Sequence, residues 1–331
     1  MGINKHNVTA ICILYFVSTW MDRSMKKALL TTAILAGLAS ATVQAATIYE
    51  KEGTTMSIGG RVEVRADFID TYDEDSDSEG TVKDMSRARI NFAGETKISK
   101  NVTGFGFMEY QIEPGDDVKN RYLFAGFGTN VGDFSYGRQD TANVQVSDMT
   151  DIASVHSGQQ QYIGSASDKE NNTLLYSKTF VDALTMKANF IAGDTEDSDS
   201  FGVSGLYEFD FGLDLAASYT AADEDEDNQT TLGAAYTFKN LYLAITYAMG
   251  EDGVDNEFTS LEGAVQYKLT KGLRVIGIIG VSEDDTEDTN DFFAIETQYR
   301  FNKSIRTFVS YQLNNLDDTE DSLVAGIRYN F

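Results

Sequence analysis

The stretch Leu241-Tyr-Leu-Ala-Ile-Thr-Tyr-Ala-Met249 alternates with a period of two. Leu241, Leu243, Ile245, Tyr247 and Met249 fall on one face, with Tyr242, Ala244, Thr246 and Ala248 on the other. Successive side chains of a strand point to opposite faces, so period two marks an extended segment. The first face suits lipid and the second a lumen, the code of a membrane-spanning barrel strand. The segment 292–301 repeats it, with Phe293, Ile295, Tyr299 and Phe301 outward and Glu296, Gln298 and Arg300 inward. So does 261–269, with Glu262, Gln266 and Lys268 inward. A soluble sandwich also alternates, but its apolar face must pack against a second sheet.

The connections decide between the two. Tight, nearly uncharged turns at 99–103, 129–133, 211–212, 239–240, 270–272 and 302–304 alternate with acidic ones at 73–79, 194–199, 223–227, 251–252, 283–288 and 317–321. Every second turn therefore faces a different compartment. Strands are expected at 55–69, 86–98, 104–113, 119–128, 133–138, 171–179, 184–193, 200–210, 213–221, 229–238, 241–249, 258–269, 273–281, 291–301, 305–313 and 322–331. That even count of sixteen returns both ends of the barrel to the same side. The chain's one proline, Pro114, falls between strands, as a closed ladder requires. One connection, 139–170, carries neither clean alternation nor a dense charge run, and a loop of that length is commonly functional.

The N-terminus predicts export. Residues 25–45 have a basic start at Lys26 and Lys27, an apolar middle, and small residues Val43 and Ala45 before the cut that would leave Ala46 first. Residues 1–24 read as an upstream extension arising from start-site choice, and 46–331 as the barrel. Beyond residue 45 there is no run of eighteen apolar residues, so a membrane-spanning helix is not expected. Residues 1–45 hold Lys5, Arg23, Lys26 and Lys27 against Asp22, so their removal takes the net charge from −26 to −29. They also hold the one cysteine, Cys12. A chain this acidic is a poor partner for nucleic acid. No motif calls for a cofactor or a metal site.

The last ten residues alternate Leu323, Ala325, Ile327, Tyr329 and Phe331 against Val324, Gly326, Arg328 and Asn330, ending on an aromatic of outward parity. With this end, the stretches Arg87-Ala-Arg-Ile-Asn-Phe-Ala-Gly-Glu-Thr96, Asn120-Arg-Tyr-Leu-Phe-Ala-Gly-Phe-Gly128 and Gly132-Asp-Phe-Ser-Tyr-Gly-Arg138 are similar to those of the general diffusion porins of Gram-negative bacteria. The resemblance implies an all-β, 16-stranded antiparallel transmembrane β-barrel of the outer membrane, assembled as a homotrimer, with its third loop folded inward. It makes Tyr329 and Phe331 the signal read by the barrel-assembly machinery, and implies outer-membrane lipid and lipopolysaccharide as surroundings. It assigns 139–170 to the inward loop, although Val146-Ser-Asp-Met-Thr-Asp-Ile152 stands where the family carries Pro-Glu-Phe-Gly-Gly.

Such a pore passes ions and small hydrophilic solutes and filters them by width and by a transverse field. Parity turns Arg61, Glu63, Arg65, Asp67, Arg87 and Arg89 inward. Arg61, Arg89 and Arg121 match the family's basic wall, Arg87 shares the parity of Arg89, and Arg138 is a further candidate whose parity the sequence does not fix. Asp148 and Asp151 are the candidate opposing acids. The plainer reading makes all of these solvated lumen charges, and Glu109, Glu262, Lys268, Glu296, Arg300 and Arg306 read as simple lumen lining. The acidic loops predict a cation-preferring pore. An outer-membrane hydrolase would need a nucleophile and base, for which only the neighbours His156 and Ser157 offer themselves. A substrate-specific channel would want aromatic residues inside, whereas the Phe and Tyr residues here lie mostly on the lipid parity.

Overall fold

The computed structural model describes residues 45–68, 82–158, 160–193, 195, 198–223, 227–253, 256–285, 287–316 and 319–331. The expected extension 1–24, the signal segment save Ala45, residue 69, the acidic run 73–79 and parts of four later acidic runs lie outside the described residues.

The chain opens with β1 (Ala46–Lys51), β2 (Thr54–Asp67), the two-residue β3 (Lys83–Asp84), β4 (Arg87–Lys97) and β5 (Val102–Ile112). Then come β6 (Lys119–Thr129), β7 (Gly132–Gln139), β8 (Glu170–Phe180), β9 (Leu184–Ile191), β10 (Ser200–Glu208) and β11 (Leu213–Ala222). The last seven are β12 (Asn228–Phe238), β13 (Leu241–Glu251), β14 (Glu257–Lys268), β15 (Leu273–Asp284), β16 (Glu287–Arg300), β17 (Ile305–Asn314) and β18 (Ser322–Asn330). From β4 onward each strand pairs antiparallel with the next, β18 pairs back onto β2, and β2 pairs with β4. Sixteen strands thus close into a barrel, and closure leaves no unpaired sheet edge facing lipid. Among the described residues no helix is long and apolar enough to cross a membrane.

The polar run after Ala45 carries no clear strand signal, yet it forms β1. Its partner is Thr54–Ile58, the half of β2 that β18 does not reach. Phe331 completes that edge by exchanging two backbone hydrogen bonds with Gly60, at 3.0 and 3.1 Å. A Cβ at Gly60 would stand 2.3 Å from the Arg89 carbonyl and 2.7 Å from the Phe331 ring, so no larger residue fits this closure.

The outward parity holds. Leu243, Ile245, Tyr247 and Met249 are exposed while Ala244, Thr246 and Ala248 are buried. Aromatic residues gather where strands meet the short turns: Tyr207, Phe209 and Phe211, Tyr236 with Phe238, Tyr299 with Phe301, and Tyr329 with Phe331 lie ring against ring. This is the interfacial girdle of an outer-membrane barrel.

The lumen side departs from a simple polar lining. Residues 140–158 and 160–169, between β7 and β8, fold inward as α1 (Val144–Ser147), irregular stretches and a 3-10 turn at Gly164–Ala166. Val146 and Met149 pack on Ala216, Ala235, Ala244, Ala264, Ile276 and Ile278. These inward residues of β11–β15 are apolar because the loop, and not water, covers them. Small residues there leave the loop room, and a Cβ at Gly233 would meet Met149 sulfur at 2.5 Å. Farther along, Tyr162 stacks on Phe258 with ring centroids 4.3 Å apart.

Candidate functional site

The loop narrows the lumen to a cavity of about 710 Å³. One side is a wall of guanidinium groups laid down by strand register. Arg328 on β18 stands directly opposite Glu63 on β2, and Glu63 opposite Arg87 on β4. One step along, Arg61 stands opposite Arg89. Glu63 is fully buried, 0% exposed, and anchors this wall. It accepts from Arg87 Nε at 2.8 Å, lies 3.7 Å from Arg65 Nη1, and also accepts from Arg328 Nε. The next carboxylate, Glu109, accepts from Arg121 Nε at 2.8 Å and sits 3.8 Å from Arg89 Nη1. Arg89 Nε in turn donates to Gln111 at 2.5 Å. Such charge-assisted bonds hold the guanidinium planes in fixed orientations.

The loop forms the other side, bringing Asp140, Asp148, Asp151 and Asp168 to the same cavity. Asp140 accepts from Tyr122 Oη at 2.9 Å and from the Lys169 backbone N–H at 3.3 Å. Asp148 opens onto the lumen but is walled in by protein. That enclosure, and then repulsion from Asp140 and Asp151, pushes its carboxyl up to about 7. Lys169, at the loop's end, contacts Asp168 and lies 5.9 Å above the Tyr122 ring. Burial, and then the neighbouring Arg121, pulls its ammonium down to about 8.

The loop is held in place by carboxylates of the opposite wall. Both oxygens of Glu296 accept from the Ser154 N–H, at 2.9 and 3.0 Å, and both of Glu262 from the Gly158 N–H, at 3.2 and 3.0 Å. Tyr242 Oη donates to the Met149 carbonyl at 2.7 Å, and Thr150 pairs with Thr246 at 3.0 Å. Glu262 and Glu296 are therefore tethers, where the sequence suggested plain lining. Converting both to glutamine replaces charge-assisted bonds by neutral ones of about half the strength. The loop of E262Q/E296Q is expected to loosen, giving noisier and larger single-channel currents; a conductance trace as quiet as that of the parent would sink the tether role.

Arg61, Arg87, Arg89, Arg121, Asp148 and Asp151 all line this one cavity. Arg138 does not. Its cross-strand partner is Leu123, an exposed residue of the lipid parity, and its Nε donates to the Asn120 carbonyl at 3.0 Å. Arg138 shares the parity of Phe134 and Tyr136, both exposed on the lipid side, so simple alternation along β7 places it on the outer face. His156 and Ser157 form no nucleophile-base pair, since the Ser157 hydroxyl donates to Asp151 at 2.5 Å. His156 packs near Asp67 and Arg65, and burial lowers its pKa. Asp140, Asp168 and Lys169 escaped notice because they sit in the loop, where no strand parity applies. Arg65, Arg300, Arg306 and Arg328 line the same cavity, and their inward parity was a readable signal.

Comparison with known proteins agrees with this geometry. The profile of the Gram-negative porin family matches residues 30–329. The chain is 32% identical to a porin-like protein L of Photobacterium profundum and 32% identical to an outer membrane protein U of Vibrio vulnificus, covering 93% of this chain and 100% of each relative. Among solved structures, Salmonella typhi OmpF in complex with daunomycin superposes with a TM-score of 0.76 at 24% identity, over 86% of this chain and 100% of that one. The trimer form of Vibrio cholerae OmpT gives a TM-score of 0.68 at 17% identity, over 84% and 100%. A family match over nearly the whole chain, a closed sixteen-stranded barrel and an inward loop lead to one conclusion: this chain belongs to the Gram-negative porins, and is a diffusion channel of the outer membrane.

Proposed function

We propose that this porin favours cations and sorts solutes between the wall Arg61, Arg87, Arg89 and Arg121 and the loop acids Asp140, Asp148 and Asp151. The observation that carries the sorting is their convergence on one cavity from opposite sides. A field across a narrow, partly desolvated passage gives cations and anions separate lanes. The cavity's own lining holds ten basic side chains against five acidic ones, so it does not produce the cation preference. That preference comes from the acidic loops at the mouth, in a chain whose net charge beyond residue 45 is −29. In planar bilayers under a KCl gradient the reversal potential is expected to have the cation-selective sign. Mouth charges act through water, so the preference should weaken as salt rises from about 0.1 M to 1 M, where the screening length shrinks from about 10 Å to about 3 Å. An anion-selective sign at both concentrations would refute the reading.

The state of Asp148 makes selectivity depend on pH. With its carboxyl pushed up to about 7, it is mostly neutral at pH 5.5 and mostly charged at pH 8.5. Cation preference is expected to rise across that interval, and the step should disappear in Asp148→Asn. A step of the same size in the variant would assign it to another group.

The biological unit proposed is a homotrimer. An apolar outer groove of about 720 Å³ crosses β2 and β4–β8, where Gly94, Gly104, Gly106, Ala125 and Gly126 leave room for a neighbour's side chains. The channel works without catalysis, after export directed by residues 25–45. Phe331 and Tyr329 mark the chain for the barrel-assembly machinery, and lipopolysaccharide surrounds the barrel's outer half. A sugar-size series in liposome swelling tests general against specific passage. A smooth fall with size is expected, whereas a sharp optimum at one sugar would favour a specific channel.

A further inference from the structure

Three arginines stand side by side on consecutive strands. Arg300 on β16 is the register partner of Arg306 on β17, and Arg306 is the partner of Arg328 on β18. All three belong to the lumen parity and line the cavity, and Lys303 joins them from the short turn that follows β16. Neighbouring strands lie about 4.8 Å apart, so three guanidinium groups are set along about 10 Å of wall. Like charges placed directly opposite one another destabilise a sheet.

Local acids do not balance the row. Glu63 is shared by Arg328, Arg87 and Arg65. Glu296 is spent on the Ser154 N–H and Gln298. Among the described residues, neither Arg300 nor Arg306 has a carboxylate within ion-pair distance of 4.0 Å. The Nε of Arg306 is buried without a hydrogen-bond partner, and its Nη1 reaches only Gln298, at 3.5 Å. A row of like charges without a carboxylate of its own is the kind of local conflict that marks a binding site.

The geometry points to a binding subsite for solutes carrying several phosphate-type anionic groups, formed by Arg300, Arg306 and Arg328 with Lys303 at the short-turn mouth. The planar fork of each guanidinium fits two oxygens of a phosphate, and regular spacing lets one linear polyanion engage adjacent forks. This goes beyond the proposed transverse filter, which sets Arg61, Arg87, Arg89 and Arg121 against the loop: Arg300 and Arg306 flank the short turn after β16, so the row extends the same cavity's basic wall toward the short-turn mouth. The site is also sided, because the acidic loops repel a polyanion from their end while the short-turn mouth admits it.

The test uses the whole protein in planar bilayers in KCl, with tripolyphosphate added to one side and acetate at equal charge concentration as control. Tripolyphosphate on the short-turn side should produce resolved interruptions of current, with acetate producing none. In R300Q/R306Q the dwell time of the interruptions should fall about tenfold or more, the loss expected for one charge-assisted hydrogen bond. The variant R300K/R306K keeps the charge but not the fork, and an intermediate dwell time is expected. Only channels that conduct are scored, so misfolding cannot imitate the loss, and ion selectivity is measured separately. Absence of interruptions, an unchanged dwell time in R300Q/R306Q, or a lysine variant indistinguishable from the parent would each overturn the subsite.

Discussion

Glu63→Gln is expected to lower the temperature at which the barrel loses its folded gel mobility by roughly 10 °C. The carboxylate is 0% exposed and touches Arg65, Arg87 and Arg328. Its neutral amide would leave three guanidinium groups clustered about an uncharged centre, with Arg61 one step along the same strand. Breaking a buried ion pair by removing one partner costs about 3–5 kcal/mol. For a chain of this size each kcal/mol moves the midpoint by roughly 2–4 °C. The upper end is tempered here by lumen water, which can hydrate the exposed tips of the arginines. A midpoint within about 2 °C of the parent would show that water, not Glu63, neutralises the wall. Comparison with Glu63→Asp separates lost charge from lost shape, since the shorter acid keeps the anion.

The second large effect is on selectivity. In R89Q/R121Q the ratio of cation to anion permeability is expected to rise about fivefold. A unit charge about 8 Å from a passing ion in water contributes about 0.5 kcal/mol, roughly halved by screening at about 0.1 M salt; two such charges, acting with opposite sign on cation and anion, shift the ratio by about 1 kcal/mol. The change also releases the Glu109 carboxylate, which Arg121 and Arg89 hold at 2.8 and 3.8 Å. Both consequences favour cations. The reversal potential under a KCl gradient reads the ratio directly, and an unchanged value would remove these two residues from the filter. Because Glu109 would be left with fewer partners, thermal stability should fall in the same variant, which a gel-shift melt records independently.

Much of this molecule is legible in its sequence. Every one of the sixteen barrel strands falls within a few residues of its expected place; 241–249, for instance, lies inside β13 at Leu241–Glu251. The reason is that lipid and lumen impose a two-residue period on each strand separately, so the code is local and does not depend on neighbours. The parity of Arg61, Arg87 and Arg89 followed from the same code. The code does not reach β1, a polar run held by its pairing with β2, whereas the parity of Phe134 and Tyr136 already carries Arg138 to the outer face of β7.

What the sequence determined alone is therefore the barrel, its two faces and the identity of the charges pointing inward. Tertiary structure decided which of those charges meet. Arg328 and Glu63 are 265 residues apart, as are no two partners that periodicity could connect, and closure of β18 on β2 brings them together. The same holds for Glu296 and Ser154, separated by 142 residues, whose contact folds the loop across the lumen and sets Asp148 against the arginine wall. Period-two alternation fixes the direction of a side chain, whereas its partner across the lumen is fixed by shear, closure and the packing of one loop, which no local pattern encodes.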